Sequence, residues 1–296
     1  MQTEDRIERE NPVADAAKEG TSGRPSWMAT VGLWAALAAL VLGTGVVCKT
    51  AFAVRKTVAH TGIPAPGSSV GTVMDNALPA TIADLPLVDQ DGSSTSLSAF
   101  AGKTLMISDT MTLCQETCPL DTEDLVQTAR TLDTDGFGAN VEFLTITIDP
   151  ARDTPAQLAA YRDLYTPVPS NWQALTGSAS AISALWRYFG VYVRRVPEGT
   201  PASVNWRTGQ KLTYDLNHSD EIFFIDEKGT ERYLLEGMGH IAPGTSVPQT
   251  MLKYLDAAGL ANLKAPASDG WTVPQGLGVL AWLLQRPIPA ASAGTS

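Results

Sequence analysis

The segment 103–149 limits the fold more than any other part of the chain. KTLMISDT (103–110) reads as a buried strand and is followed by TLCQETCPLD (112–121), a loop carrying two cysteines. A helix is predicted from Pro119 to about Thr134, with Leu125, Val126, Ala129 and Leu132 on one apolar face and Gly136 just past its end. VEFLTITID (141–149) is apolar on both faces, as a central strand requires. Strand, helix and strand in this order make a βαβ unit, which belongs in a sheet covered by helices.

The rest of the pattern extends that unit. A second helix opens at Asp153-Thr154-Pro155, an N-cap followed by proline in the first turn, and runs to about Tyr165. Then come strand WQALTG (172–177), helix SASAISALWRYF (178–189) stopped by Gly190, and strand VYVRRV (191–196). Residues 197–213 form a polar excursion. EIFFID (221–226), the turn Glu227-Lys228-Gly229 and ERYLLE (231–236) make a hairpin, and VPQTMLKYLDAAG supplies a last helix capped by Ser246. The expected fold is α/β, a thioredoxin-like sandwich over residues 79–260. The tail at 261–296 reads as loose apart from QGLGVLAWLL (275–284), too short to span a membrane and expected to pack on the domain.

Ahead of the domain, residues 1–26 are charged and lack a hydrophobic period, so a disordered tail is expected there. WMATVGLWAALAALVLGTGVV (27–47) is uncharged and matches a hydrocarbon core of roughly 30 Å, which predicts an N-terminal transmembrane helix acting as an uncleaved anchor. Residues 48–78, rich in glycine, proline and serine, read as a linker. Basic residues on both sides of the span leave its orientation undecided by charge alone. A net charge of -10 without a lysine or arginine cluster argues against nucleic acid as a partner.

With three cysteines in the whole chain, Cys48, Cys114 and Cys118, any cysteine role is local. Cys114 and Cys118 lie one helical turn apart, close enough for a disulfide or a shared metal. Pro119 suits the first helical position and makes Cys118 the N-cap, where the helix dipole favours a thiolate. Glu116, Asp121, Glu123 and Asp124 oppose thiol ionisation but welcome a cation. CxxxC differs from the CxxC of general redox catalysts, and a static disulfide, a redox pair and a metal site all remain open at this point. Three histidines could supply a third donor; His218, just before the apolar strand at 221, reads from the local sequence more readily as a hydrogen-bonded loop residue than as a ligand, and His60 and His240 read as surface or loop residues. Met111 and Met238 are soft donors that read as core filler, and Cys48 as a small apolar residue.

Six motifs in order carry a resemblance: FAGK (100–103), CQETCP (114–119), TIDPARDTP (147–155), ALTG (174–177), YFGVY (188–192) and NHSDEIFFIDEKG (217–229). Residues 79–258 thereby resemble the Sco/SenC family of membrane-anchored, thioredoxin-fold copper proteins. The resemblance implies copper, Cu(I) or Cu(II), held by Cys114, Cys118 and His218, and a domain outside the cytoplasm on a single-pass cell-membrane anchor. It implies a metallochaperone rather than an enzyme in the turnover sense. The partner would be the copper-accepting subunit of cytochrome c oxidase, or another copper protein. The alternative is a thiol-disulfide reductase in which Cys114 and Cys118 cycle. Two thiolates and an imidazole suit copper, though zinc also accepts such donors. The sequence departs from the family pattern at Asn217, where an aspartate is usual, and at MISDTMTL, where the strand is usually aromatic-rich. Asp149 matches a family position near the site and reads as a residue supporting the ligands, fixing a loop or capping a strand end; Asn217 is the other neighbour of the ligand set.

Overall fold

The computed structural model describes residues 62–266 and 270–289. The tail at 1–26, the span at 27–47, Cys48 and His60 lie outside the described residues. Among the described residues, no helix is long and apolar enough to cross a membrane.

The first elements are peripheral: strand β1 (Thr72–Ala77), a single-turn helix α1 (Ala80–Ala83), and short strands β2 (Leu87–Asp89) and β3 (Ser94–Thr95). β4 (Thr104–Thr110) follows, and its seven residues are all buried, as are those of β5 (Val141–Thr147). Between them runs α2 (Cys118–Thr134). β4 and β5 pair in parallel, Ile107 opposite Leu144, which confirms the βαβ unit. After α3 (Pro155–Arg162), β6 (Trp172–Gly177) adds in parallel to β5, and α4 (Ala179–Phe189) ends at left-handed Gly190. β7 (Val193–Val196) and β8 (Asp215–His218) form a separate two-stranded ribbon. β9 (Glu221–Ile225) and β10 (Thr230–Glu236) make the expected hairpin, and β9 pairs antiparallel with β4. The eight-stranded sheet runs β1-β10-β9-β4-β5-β6-β2-β3, with β4 and β5 at its centre.

Alternation along the central strands feeds two cores. Met106 and Phe143 face a cluster with Leu125, Val126 and Ala129 of α2; Ile107, Leu144 and Ile146 face one with Ile182, Leu185 and Trp186 of α4. The result is a thioredoxin-like α/β sandwich with helices on both faces of a mixed sheet.

Several elements differ from expectation. The linker predicted over 48–78 ends earlier, because Thr72–Ala77 pairs with β10 as an edge strand whose mostly exposed residues show no apolar alternation. The last helix is broken. α5 (Gln249–Tyr254) starts after Pro248 with no side-chain cap, so Ser246 does not cap it, and Leu255 is extended. Asp256 then accepts from the Gly259 N–H at 2.8 Å and starts a new helix, α6 (Ala257–Lys264), within the segment read as a loose tail. Finally, α7 (Val273–Leu284) opens with a Thr272/Gln275 capping box and packs on α2 and β4.

Leu277, Val279 and Leu280 of α7 are buried in the same cluster as Met106. The C-terminal segment is therefore core. Leu280→Ala is expected to lower unfolding free energy by about 2–5 kcal/mol in chemical denaturation, as for a fully buried leucine. A loss below about 0.5 kcal/mol would place this helix on the surface.

Candidate metal centre

The antiparallel pairing of β4 with β9 builds the site. The chain leaves the end of β4 into the cysteine loop, and it enters β9 directly from His218, so both segments emerge at one edge. Asp109 near the end of β4 ties them, its Oδ1 accepting the Glu221 N–H at 3.2 Å. His218 Nε2 lies 3.8 Å from Cys118 Sγ. The ring's Nδ1–H donates to the Ser219 carbonyl at 2.9 Å, with Asp109 Oδ2 at 2.8 Å and Asp220 Oδ1 at 3.4 Å from the same nitrogen.

Cys118 is buried and Cys114 half-buried, and both are free thiols. Cys118 is the first residue of α2 rather than its cap. Thr117 takes the N-cap position without a side-chain cap bond, and proline follows at the second turn position. The shift by one residue keeps Cys118 beside Cys114. A hydrogen bond from Cys118 is the largest influence on Cys114 and lowers its pKa to about 5, against opposing burial; the backbone N–H groups of Cys118, Glu116 and Thr117 add to the lowering. The same hydrogen bond, followed by burial, holds the Cys118 thiol well above its usual range. The pair thus carries one proton and one negative charge, the charge on the more accessible sulfur.

Burial disfavours the charged form of His218, but the adjacent Asp109 carboxylate, then Asp220 and the Ser219 carbonyl, outweigh it and raise the pKa to about 10. Burial raises Asp220 to about 6. A cavity of about 290 Å³ opens over this group, lined by Cys114, His218, Met111, Thr117 and the acids Glu116 and Asp220 among others. Asp121, Glu123 and Asp124 turn elsewhere: Asp121 accepts from the Gly239 N–H and from Trp271 Nε1, and Glu123 pairs with Arg130 at 3.3 Å. Of the four acids expected around the sulfurs, Glu116 lines the cavity.

The remaining predicted residues divide by contact. Asp149 Oδ1 accepts the Tyr214 hydroxyl at 2.8 Å and Oδ2 pairs with Arg152, whose Nη1 donates to the Tyr214 carbonyl at 2.7 Å. Arg152 and Arg195 sandwich the Tyr214 ring at 3.8 and 3.7 Å. Asp149 therefore fixes the ribbon that bears His218, acting through Tyr214. Asn217 is exposed on β8 and lines the cavity. Met111 lines it as well, with Arg152 Nη2 donating to its sulfur at 3.4 Å. Met238 and His240 pair through their backbones with Trp271, away from the cavity lining.

Residues 75–246, more than half of the chain, match the SCO1/SenC family model. The chain belongs to the SCO1/SenC family. It is 30% identical over 146 residues to the mitochondrial SCO2 homolog of Bos taurus, covering 49% of this chain and 50% of that one. Against the sco1 protein of Schizosaccharomyces pombe it is 30% identical over 143 residues, covering 48% and 50%. The chain spans about half the length of these curated relatives. Among solved structures it is similar to the copper-bound ScoI of Bradyrhizobium japonicum, at 19% identity and a TM-score of 0.42, over 62% of this chain and 97% of that one.

Within this SCO1/SenC site, sequence reasoning missed Asp109, Asp220, Asp153 and Tyr254. Asp153, read as part of a helix cap, instead accepts from Thr112 and, at 2.5 Å, from the Thr147 hydroxyl, pinning the cysteine loop to β5, while Thr154 caps α3. The Tyr254 hydroxyl lies against the carbonyls of Thr112 and Cys114. A charged residue inside the apolar run KTLMISDT was the available signal for Asp109.

The thiolate of Cys114 forms above its pKa of about 5, so its alkylation rate is expected to be nearly flat from pH 6.5 to 8 and to fall as pH drops through 5. Mass spectrometry of iodoacetamide-treated protein reads this directly. A rate rising about tenfold per pH unit between 6.5 and 8 would mean an ordinary thiol.

Proposed function

We propose that this SCO1/SenC protein is a copper-binding metallochaperone whose cargo is held by Cys114, Cys118 and His218. The observation that carries the reading is the 3.8 Å approach of His218 Nε2 to Cys118 Sγ, beside a sulfur already poised as thiolate. Two thiolates and one imidazole are a soft donor set suited to Cu(I), and to Cu(II) with one added ligand.

The residues' tasks in loading follow from their contacts. Cys114 meets the incoming ion first, because it is charged and lines the cavity. Cys118 and His218 Nε2 then each give up a proton to solvent as they coordinate, which makes loading pH-dependent. Nδ1–H stays on the Ser219 carbonyl and keeps Nε2 turned to the sulfurs. The open side at Cys114 lets an acceptor's ligands exchange with the ion. We assign the acceptor as the copper-accepting subunit of cytochrome c oxidase, or another copper protein. In the same reading, residues 27–47 anchor the chain in the cell membrane with the domain extracytoplasmic.

A second reading, a thiol-disulfide reductase, draws on the same pair. A low-pKa Cys114 beside a protonated Cys118 has the arrangement of an attacking and a resolving thiol. Titrating the reduced chain with Cu(I) and Cu(II) separates the two. The chaperone account predicts one copper per chain, sulfur-to-copper absorption for the cupric form, and an affinity loss of at least about tenfold in His218→Ala. Ordinary thiol exchange without stoichiometric copper would replace it with the reductase.

A further inference from the structure

The ribbon that carries His218 also has an outer edge that the metal centre does not use. Among the described residues β7 pairs with β8 alone, so no strand covers its other side. The Tyr192 carbonyl accepts the Ser219 N–H at 3.1 Å, and by the alternation of an antiparallel pair the N–H and C=O groups of Val193 and Arg195 then point outward. Residues 192–195 are all exposed, Tyr192 by 53% of its surface. An unpaired edge of this kind is a template for a strand from another chain.

Beside the edge lies an apolar groove of about 560 Å³, lined by Ile148, Pro150, Ile182, Trp186, Tyr192 and Val193 among others. Arg187 is the one charged residue in that lining, and Arg194 and Arg195 follow on β7. None of the three arginines makes an ion pair among the described residues. In a chain of net charge -10, unpaired positive charge along an apolar edge complements an acidic partner. A second copy of this edge fits poorly, because pairing β7 with itself sets arginine against arginine. The edge is also near the metal centre. Val193 stands opposite His218, so a strand added outside β7 runs two interstrand spacings from the histidine, about 10 Å.

We infer that the outer edge of β7 and the adjoining groove dock an extended, acidic and apolar segment of the copper acceptor by strand addition. Backbone hydrogen bonds to Val193 and Arg195 hold the added strand in register. Its apolar side chains enter the groove beside Tyr192 and Val193, and its carboxylates meet Arg187 and Arg194. The acceptor's own ligands are thereby brought to the side of the ribbon that bears His218. As a segment of the acceptor, the occupant is tied to the chaperone reading, whereas the docking surface itself is not.

The test uses the full-length, metal-free chain in neutral detergent and a fluorescein-labelled peptide alternating valine and aspartate, followed by fluorescence anisotropy. Saturable binding is expected, weakened by added salt and weakened at least about tenfold in the Arg187→Glu, Arg194→Glu double variant. Circular dichroism and copper titration of that variant should match the parent, and Arg187→Gln with Arg194→Gln serves if the double charge reversal fails to fold. The same peptide N-methylated at successive residues, which removes donors from both of its edges, should not bind. Equal binding of a peptide alternating valine and lysine, or undiminished binding of the N-methylated peptide, overturns the inference. So does a chain that loads copper but ignores the acidic peptide. Peptide binding by a chain that takes up no copper supports the surface and sinks the chaperone reading alone.

Discussion

The site depends on the antiparallel pairing of β9 against β4. Because the two strands run in opposite directions, the end of one lies beside the start of the other. A loop that leaves β4 and a residue that enters β9 are thus neighbours, although His218 and Cys118 are 100 positions apart in the chain. Hydrogen bonds in the middle of a buried sheet bring the two segments to one edge. The loops are then fixed from outside: Asp153 and Tyr254 hold the cysteine side, and the Asp149–Arg152–Tyr214 knot holds the histidine side.

Charge is arranged around this frame so that negative groups meet positive or polarisable ones. Asp109 closes a central strand with a buried carboxylate, a costly placement offset by the Glu221 amide and the neighbouring imidazole. The family's usual aspartate is Asn217 here and stands exposed on the ribbon. The negative charge beside the ring comes from Asp109, near the end of β4, and Asp220, two residues on. On the sulfur side, one shared proton leaves the accessible thiol charged and the buried thiol neutral, which limits the charge taken out of water.

The layered fold was legible because its central strands are long, apolar and separated by a helix with one clean face. β1 was not: TVMDNA lacks an apolar alternation and gains its order from pairing with β10, which no local pattern records. The C-terminal helices were also hidden. α7 is short and apolar nearly throughout, so composition could not say whether it covers a core, and its role follows from contacts with α2 and β4. At the site, the cysteines and His218 stood out by residue type. Asp109 and Asp220 did not, since carboxylates are common and their significance comes from facing one nitrogen of one ring. Tyr254 is likewise a matter of tertiary reach, 140 residues from the carbonyl of Cys114.

The central claim is that sulfur and imidazole converge on one copper ion, and X-ray absorption of the reduced, copper-loaded full-length chain addresses it most directly. The account predicts a spectrum fitted by two sulfur scatterers and one imidazole nitrogen per copper, with the imidazole multiple-scattering signal lost in His218→Ala. A shell of oxygen and nitrogen without sulfur, or one unchanged by that substitution, would contradict it.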